Sequence, residues 1–423
     1  MPLVYTNNVL IEFRVSNFYS IKDEVVLDFK ASHSKELTEN IIPYKHAGLL
    51  KSIGIYGANA TGKTNIIKAI YFVWSLTKFS HSYNAETKII PTQFKLDNKN
   101  INKPSSFEVI FTKNNVRYQY GFSCLDSKVL EEHLFRWDDA SNKPRRATVF
   151  RRENVKEFKF NVDKKKQQLI ASQMSGNVLY LSRASAFNFE KVRDVYDFLV
   201  NDLIINFNPS WNEYTKINAA SNPELKNRIV DILQKADFGG ISDIVIEKQK
   251  AKMAEIQANL TSDGLKVNPI PETDKDIYVA KFLHEINPEE TVEFNEWEES
   301  SGTIRMFSLL GPMFDILDNG KVMVIDEMET SLHPSISEFI VRLFHSKLNK
   351  KNAQLIFTTH NTNLLNSEVL RRDQIYITSK EPNKGTRLDS LVKFKLRDGM
   401  DFQRVYLTGR VGGLPFIDET VLD

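Results

Sequence analysis

The chain has 423 residues, 41% of them hydrophobic and 26% charged, a balance that excludes a disordered or low-complexity protein and allows two or three folded lobes. A formal net charge of +2 and a pI near 8.3 exclude strong global attraction to nucleic acid or anionic lipid, so any such contact must be local. Cys124 is the single cysteine, which excludes an internal disulfide framework and a cysteine-based zinc site and points to a reducing compartment.

The opening run MPLVYTNNVLIEFRV lacks the basic start and small-residue cleavage site of a secretory signal. Short apolar runs at Val9–Val15 and Val25–Phe29, separated by the turn-like Asn17–Ser20, predict a β-hairpin. From Ser52 the pattern becomes strand, glycine loop (Gly57 to Gly62) and helix, with Ile66, Ile67, Ile70, Val73 and Trp74 on one helix face. Strands at Phe107–Phe111 and Tyr118–Phe122, joined at Lys113–Asn115, predict an antiparallel meander. Phe189, Val192, Tyr196, Leu199 and Leu203, then Leu225, Ile229 and Leu233, are spaced by three or four and predict helices. Strand character returns at Ile277–Phe282 and Thr291–Trp297, and α/β alternation runs on from Ser300. The apolar stretches Ile66–Leu76 and Val322–Ile325 fall well short of the roughly 18 apolar residues of a membrane span, so a cytoplasmic protein without a membrane anchor is expected. The expected organisation is an N-terminal lobe over 1–185, an inserted helical lobe over 186–275 and a C-terminal lobe over 276–423. No internal repeat is found, nor a heptad run long enough for a coiled-coil arm.

Gly57-Ala-Asn59-Ala-Thr61-Gly62-Lys63-Thr64 matches G-x-x-x-x-G-K-[ST] and sits between a predicted strand and a predicted helix, the setting this phosphate-binding loop needs. Its glycines let backbone N–H groups crowd around phosphate oxygens, and the helix N-terminus adds partial positive charge. Lys63 would reach the β- and γ-phosphates of ATP, and Thr64 would offer a hydroxyl to Mg²⁺. Val322–Ile325 is a short apolar strand ending in Asp326-Glu327, as a Walker B strand does. Asp326 is then the Mg²⁺ partner, and Glu327 is placed to orient or deprotonate the attacking water. A strand ending in two acids is common on any surface, so this pair gains its meaning from its neighbours.

Those neighbours carry a resemblance. Glu327-Met-Glu-Thr-Ser331-Leu332-His333-Pro334 looks like the D-loop region of ABC-type ATPases of the SMC, RecF and OLD kind, and Leu355-Ile-Phe-Thr-Thr-His360-Asn361 is similar to their switch strand. Glu299-Ser300-Ser301-Gly302-Thr303 resembles their signature motif, although that motif is more often Leu-Ser-Gly-Gly-Gln. Taken singly, His333 and His360 read as structural histidines and Ser300 to Gly302 as a helix cap. The resemblance implies an α/β fold, an ABC-type P-loop head with a mixed sheet and an antiparallel meander. It implies that His360 contacts the γ-phosphate, and that Ser300, Ser301 and Gly302 act on ATP held by a second copy of the chain, so that a homodimer or higher homo-oligomer carries two shared sites. The Q-loop stays unassigned, with Gln93 preferred over Gln173, and Phe18, beside Asn17 and Arg14, reads as core rather than as an adenine contact.

The chain further resembles stand-alone ABC-type AAA ATPases of bacterial phage-defence and abortive-infection systems, of the RloA-like kind. Asn17-Phe18 with Ser20-Ile21, Tyr118–Phe122 with Glu131-Glu132, Arg372–Ile375 and Tyr406–Arg410 carry this resemblance. It implies an ATPase that licenses a separate effector protein encoded nearby. OLD proteins append a Toprim nuclease; only 63 residues follow His360, with no Asp-x-Asp among them. A transporter subunit is disfavoured because Lys63 and Gly302 stand 239 positions apart. The alternative is a RecF-like DNA-binding ATPase in repair or maintenance. Lys143–Lys166, with ten Lys/Arg against three acids, is the candidate nucleic-acid patch, and a solvated hairpin is its plainer reading.

Overall fold

The computed structural model describes residues 8–415 apart from 46, 140–143, 207–210, 237, 239, 254–255, 262–263, 270–272, 381–383 and 398. The chain divides into two compact units, one built from 1–207, 316–330 and 334–423, the other from 208–315 with 331–333.

The first unit holds two large sheets and a two-stranded ribbon, Ile41–Tyr44 with Ala47–Leu50. A seven-stranded antiparallel sheet runs, in spatial order, Phe158–Phe160, Ala147–Arg152, Lys128–Asp138, Val116–Leu125, Ser105–Lys113, Asn8–Ser16 and Val25–Asp28. It contains both the opening hairpin and the meander that the alternation predicts. A six-stranded sheet runs Leu203–Asn206, Val322–Ile325, Gln354–Thr358, Ser52–Tyr56, Ile375–Lys380 and Thr386–Ser390. Its first five strands are parallel and only the last turns back. The central strands Ser52–Tyr56, Val322–Ile325 and Gln354–Thr358 are buried along their whole length, which is why they read as continuous apolar runs rather than alternations. Helix Lys63–Phe79 supplies Ile66, Ile67, Ile70 and Val73 to one core shared with Phe13, Phe107 and Phe111 of the antiparallel sheet and Ile53, Ile55 and Ile356 of the parallel one.

Side chains stitch the two larger sheets: Tyr376 Oη accepts the Asp28 N–H and donates to the Asp28 carbonyl, and Gln354 makes a second tie. Gln354, fully buried, accepts the Leu10 N–H on Oε1 and donates from Nε2 to the carbonyls of Leu10 and Leu50, so the start of the switch strand is fixed to the antiparallel sheet and to the strand Ala47–Leu50. One floor below, Ser52 Oγ meets His345 Nε2 at 2.8 Å and accepts from Gln374 Nε2 at 2.8 Å. Burial, helped by Lys51 and Arg342, pushes the His345 imidazole down to about 3, so it is neutral in the folded protein.

The stretch 186–275, expected to be a helical lobe, is of mixed structure. Residues up to Asp202 are helical but belong to the first unit, where Phe198 stacks on Phe111 with centroids 3.9 Å apart. The second unit contains helices Trp211–Ser221 and Pro223–Lys235, the latter capped by Asn222, whose side chain accepts the Leu225 N–H. Beyond them the chain is strand: Ile241–Met253, Thr273–Asn287 and Glu290–Asn295 form a three-stranded antiparallel sheet. The three- and four-residue spacing stops at Leu233, and the β-branched run Ile244-Val245-Ile246 pairs instead with Phe282, Lys281 and Ala280. In this unit the helix beginning at Ser301 packs closely on Trp211–Ser221. A Cβ on Gly311 would lie 2.3 Å from Thr215 Oγ1, and Thr215 donates to the Ser308 carbonyl. Among the described residues no helix is long and apolar enough to cross a membrane.

Candidate phosphate-binding site

The loop between Tyr56 and Lys63 has the backbone its glycines allow. Gly57 and Gly62 sit at φ +148° and +108°, values that L side chains rarely adopt. Asn59, Gly62, Lys63 and Thr64 line a cleft of about 180 Å³ together with Ala60, Asn65, Glu327 and His360. Residues from the loop, the Walker strand and the switch strand, up to 301 positions apart in the chain, are thus gathered around one small polar space. A Lys at the first turn of a 17-residue helix, where the helix N-terminus adds partial positive charge, suits a polyphosphate. Lys63 Nζ donates to the carbonyls of Gly57 (2.8 Å) and Ala58 (3.2 Å); burial lowers its ammonium below the ordinary value, against the nearby charges of Asp326, Glu329 and Glu327.

The acids are placed by the switch strand. Thr358 Oγ1 donates to Asp326 Oδ1 and accepts the Glu327 N–H at 2.7 Å, while the Thr358 carbonyl accepts the Met328 N–H. Glu327 itself has φ +48°, a left-handed conformation unusual for a glutamate and costing of the order of 1 kcal/mol or more, and its side chain is exposed at the cleft. Thr64 lines the cleft and Asp326 is held by Thr358; a hydroxyl and a carboxylate are ligand types that a small hard cation takes.

Two threonines that the sequence did not flag hold the loop from beneath. Thr378 Oγ1 donates to the Tyr56 carbonyl and meets Thr61 Oγ1 at 2.7 Å; Thr386 Oγ1 donates to the Thr61 carbonyl at 2.8 Å and meets Ser20 Oγ at 2.7 Å. Ser20 Oγ in turn accepts from Asn65 in the first turn of the helix. They also account for both glycines: a Cβ on Gly57 would lie 2.2 Å from Thr378 Oγ1, and one on Gly62 would lie 2.1 Å from Thr386 Oγ1. These hydroxyls stand 317 and 325 positions from Thr61, beyond the reach of any local motif.

Other expected residues fall elsewhere. Ser300, Ser301 and Gly302 lie in the second unit, where Ser300 Oγ caps the helix by accepting the Thr303 N–H at 3.0 Å and Ser301 is exposed at its first turn. Phe18 is core, packed edge-on against Phe107. Asn17 is structural, donating to the Asn100 and Lys103 carbonyls and accepting the Phe94 N–H, and Arg14 pairs with Glu12, Glu24 and Glu108. Gln93 follows Thr92, whose carbonyl accepts the Tyr19 N–H, and its Nε2 is buried without a hydrogen-bond partner. A larger cleft, of about 950 Å³, is not the phosphate site: it lies between the edge strands Val25–Asp28 and Thr386–Ser390 and is lined by mixed charges.

The basic segment needs a correction. Lys143 lies outside the described residues, and Arg152 is 1% exposed, an internal side chain rather than part of a phosphate-facing patch. Its guanidinium donates to the carbonyls of Val178, Val155 and Gly176 and lies 4.0 Å from Glu132, itself fully buried. Strand alternation is the reason: Phe150 and Arg152 face inward and Arg151 outward. The charge count of the run treated every cation as surface.

A family model described as "AAA domain, putative AbiEii toxin, Type IV TA system" matches residues 52–366, from the phosphate-loop strand to just beyond the switch histidine. No curated protein matches the chain. Solved structures that align include an SmcHead bound to the C-winged helix domain of ScpA (14% identity, 91% of this chain and 99% of that one, TM-score 0.44). An SMC head domain from Thermotoga maritima aligns at 12% identity over 90% and 98% (TM-score 0.41). An Smc head domain with an extended coiled coil, bound to the C-terminal domain of ScpA derived from Pyrococcus furiosus, aligns at 12% over 91% and 97% (TM-score 0.35). With the family model spanning well over half of its length, and with the phosphate loop, the acid pair and the switch histidine all inside the matched stretch, the chain belongs to this AAA domain family.

Proposed function

We propose that the chain binds ATP with Mg²⁺ in this cleft, hydrolyses it, and uses bound ATP to close two copies of itself head to tail. The single observation that carries the reading is the meeting of Lys63, Thr64, Glu327 and His360 around one space. Lys63 takes the β- and γ-phosphates, and Thr64 and Asp326 hold the metal, which would neutralise charge on the phosphate oxygens. Glu327 accepts a proton from the attacking water, and His360 donates a hydrogen bond to the γ-phosphate. Membership of the AAA domain family supports the ATPase reading.

Ser301 and Gly302, beside a capped helix N-terminus, are the groups a second copy would present to the γ-phosphate. The mention of an AbiEii toxin in the family description supports a role in anti-phage defence, with ATP turnover regulating a separate effector. The test is complementation between two inactive proteins. Lys63→Ala removes nucleotide binding, and Ser301→Arg blocks closure without touching the Ser300 cap. In a mixed dimer both lesions fall in one site and leave the other intact. Phosphate release should therefore reappear on mixing; none, in mixed dimers demonstrated by differential tagging, would overturn independently acting shared sites.

A further inference from the structure

The turn after the acid pair contains a third carboxylate that the phosphate motifs do not require. Four bonds fasten the acid pair and this turn to the end of the switch strand: Thr358 Oγ1 to Asp326 Oδ1, Glu327 N–H to Thr358 Oγ1, Met328 N–H to the Thr358 carbonyl, and His360 N–H to Glu329 Oε1. Two of them use a carboxylate, and the one from Glu329 holds the main chain of His360, the residue that faces the cleft. The other oxygen, Glu329 Oε2, is shielded from solvent and has no hydrogen-bond partner. A shielded carboxylate oxygen without a donor is costly.

We propose that Glu329 is a positioning residue of the ATPase, holding the main chain of His360 so that the imidazole stands at the cleft. The inference rests on the ATPase reading above. A tie of this kind acts on turnover through His360 and leaves the phosphate grip of Lys63 in place.

The experiment compares Glu329→Ala, Glu329→Gln and Glu329→Asp, and combines the first with His360→Ala. Steady-state phosphate release, equilibrium binding of ATP to the full chain and thermal melting are read for each. Glu329→Ala should lower kcat by about 10-fold or more while ATP affinity stays within about threefold, a loss confined to turnover. Glu329→Gln keeps an acceptor at the same reach and should recover kcat to within about threefold, whereas Glu329→Asp keeps the charge but not the reach and should resemble Ala. In the His360→Ala background the alanine change should cost less than about twofold, because the two residues act through one contact. Full additivity with His360→Ala, a glutamine variant as damaged as alanine, or an aspartate variant as active as wild type would each overturn the tie. If the alanine variant fails to fold, the Gln and Asp pair decides alone. A wild-type chain that releases no phosphate would sink the ATPase reading and this inference with it; an active wild type beside an unaffected Glu329→Ala would sink the inference only.

Discussion

Thr386→Val is the sharpest probe of how the phosphate loop is held. The substitution keeps the volume of the side chain and removes one hydroxyl, which lies 2.8 Å from the Thr61 carbonyl and 2.7 Å from Ser20 Oγ. Thr61 and Thr386 are buried, so the orphaned carbonyl gains little from water; leaving such a group unpaired costs about 1–3 kcal/mol. The loop recovers part of that cost by shifting away from its present backbone, and phosphate binding must then restore the original geometry. An affinity loss of about 1–2 kcal/mol, roughly 5- to 30-fold in Kd, follows. Isothermal titration with ATP and Mg²⁺, with a melting curve on the same sample, measures both sides. Thr386→Ser keeps the hydroxyl and should bind within about threefold of wild type. A valine variant that binds ATP as tightly as wild type would refute the reasoning, and one that melts lower without losing affinity would leave the hydroxyl a stability role only.

Two further predictions concern the fold beneath the site. Arg152→Ala strands the buried Glu132, whose carboxyl burial already raises and Arg152 lowers, and should cost about 3–5 kcal/mol in urea unfolding, against less than about 0.5 kcal/mol for the exposed Arg151→Ala. His345 is depressed from 6.5 to about 3, so below pH 6.5 the unfolded chain binds a proton that the folded chain refuses. Its contribution is fully present above pH 6.5 and falls by about 1.4 kcal/mol per unit as pH drops towards 3. His345→Gln should remove one proton's worth of that slope, measured as unfolding free energy across pH 6.5 to 4; an unchanged slope would contradict the neutral buried histidine.

What could be read from the sequence follows the range of the physics. A phosphate loop is local: its glycines, lysine and threonine fall within eight residues, and the flanking strand and helix announce themselves by their apolar runs. The acid pair and His360 were legible because each ends a short buried strand. The supports were not. Thr378 and Thr386 are ordinary strand threonines until the fold sets them against Gly57 and Gly62, and Glu329 looks like any acid in a surface turn. Arg152 was misread because a charge count ignores the two-residue alternation that its own neighbours display. The helical reading of 186–275 failed beyond Lys235, where cross-strand pairing over Ile241–Met253 decides the structure and leaves no helical spacing to follow.

The central claim is an ATP-dependent union of two copies, and it is tested most directly by sedimentation velocity of the Glu327→Gln protein with and without ATP and Mg²⁺. Removing the base while keeping the side-chain volume should let ATP bind and persist. The account predicts one copy without nucleotide and two with it, reverting when the metal is chelated. The same oligomeric state with and without ATP at every concentration would contradict it.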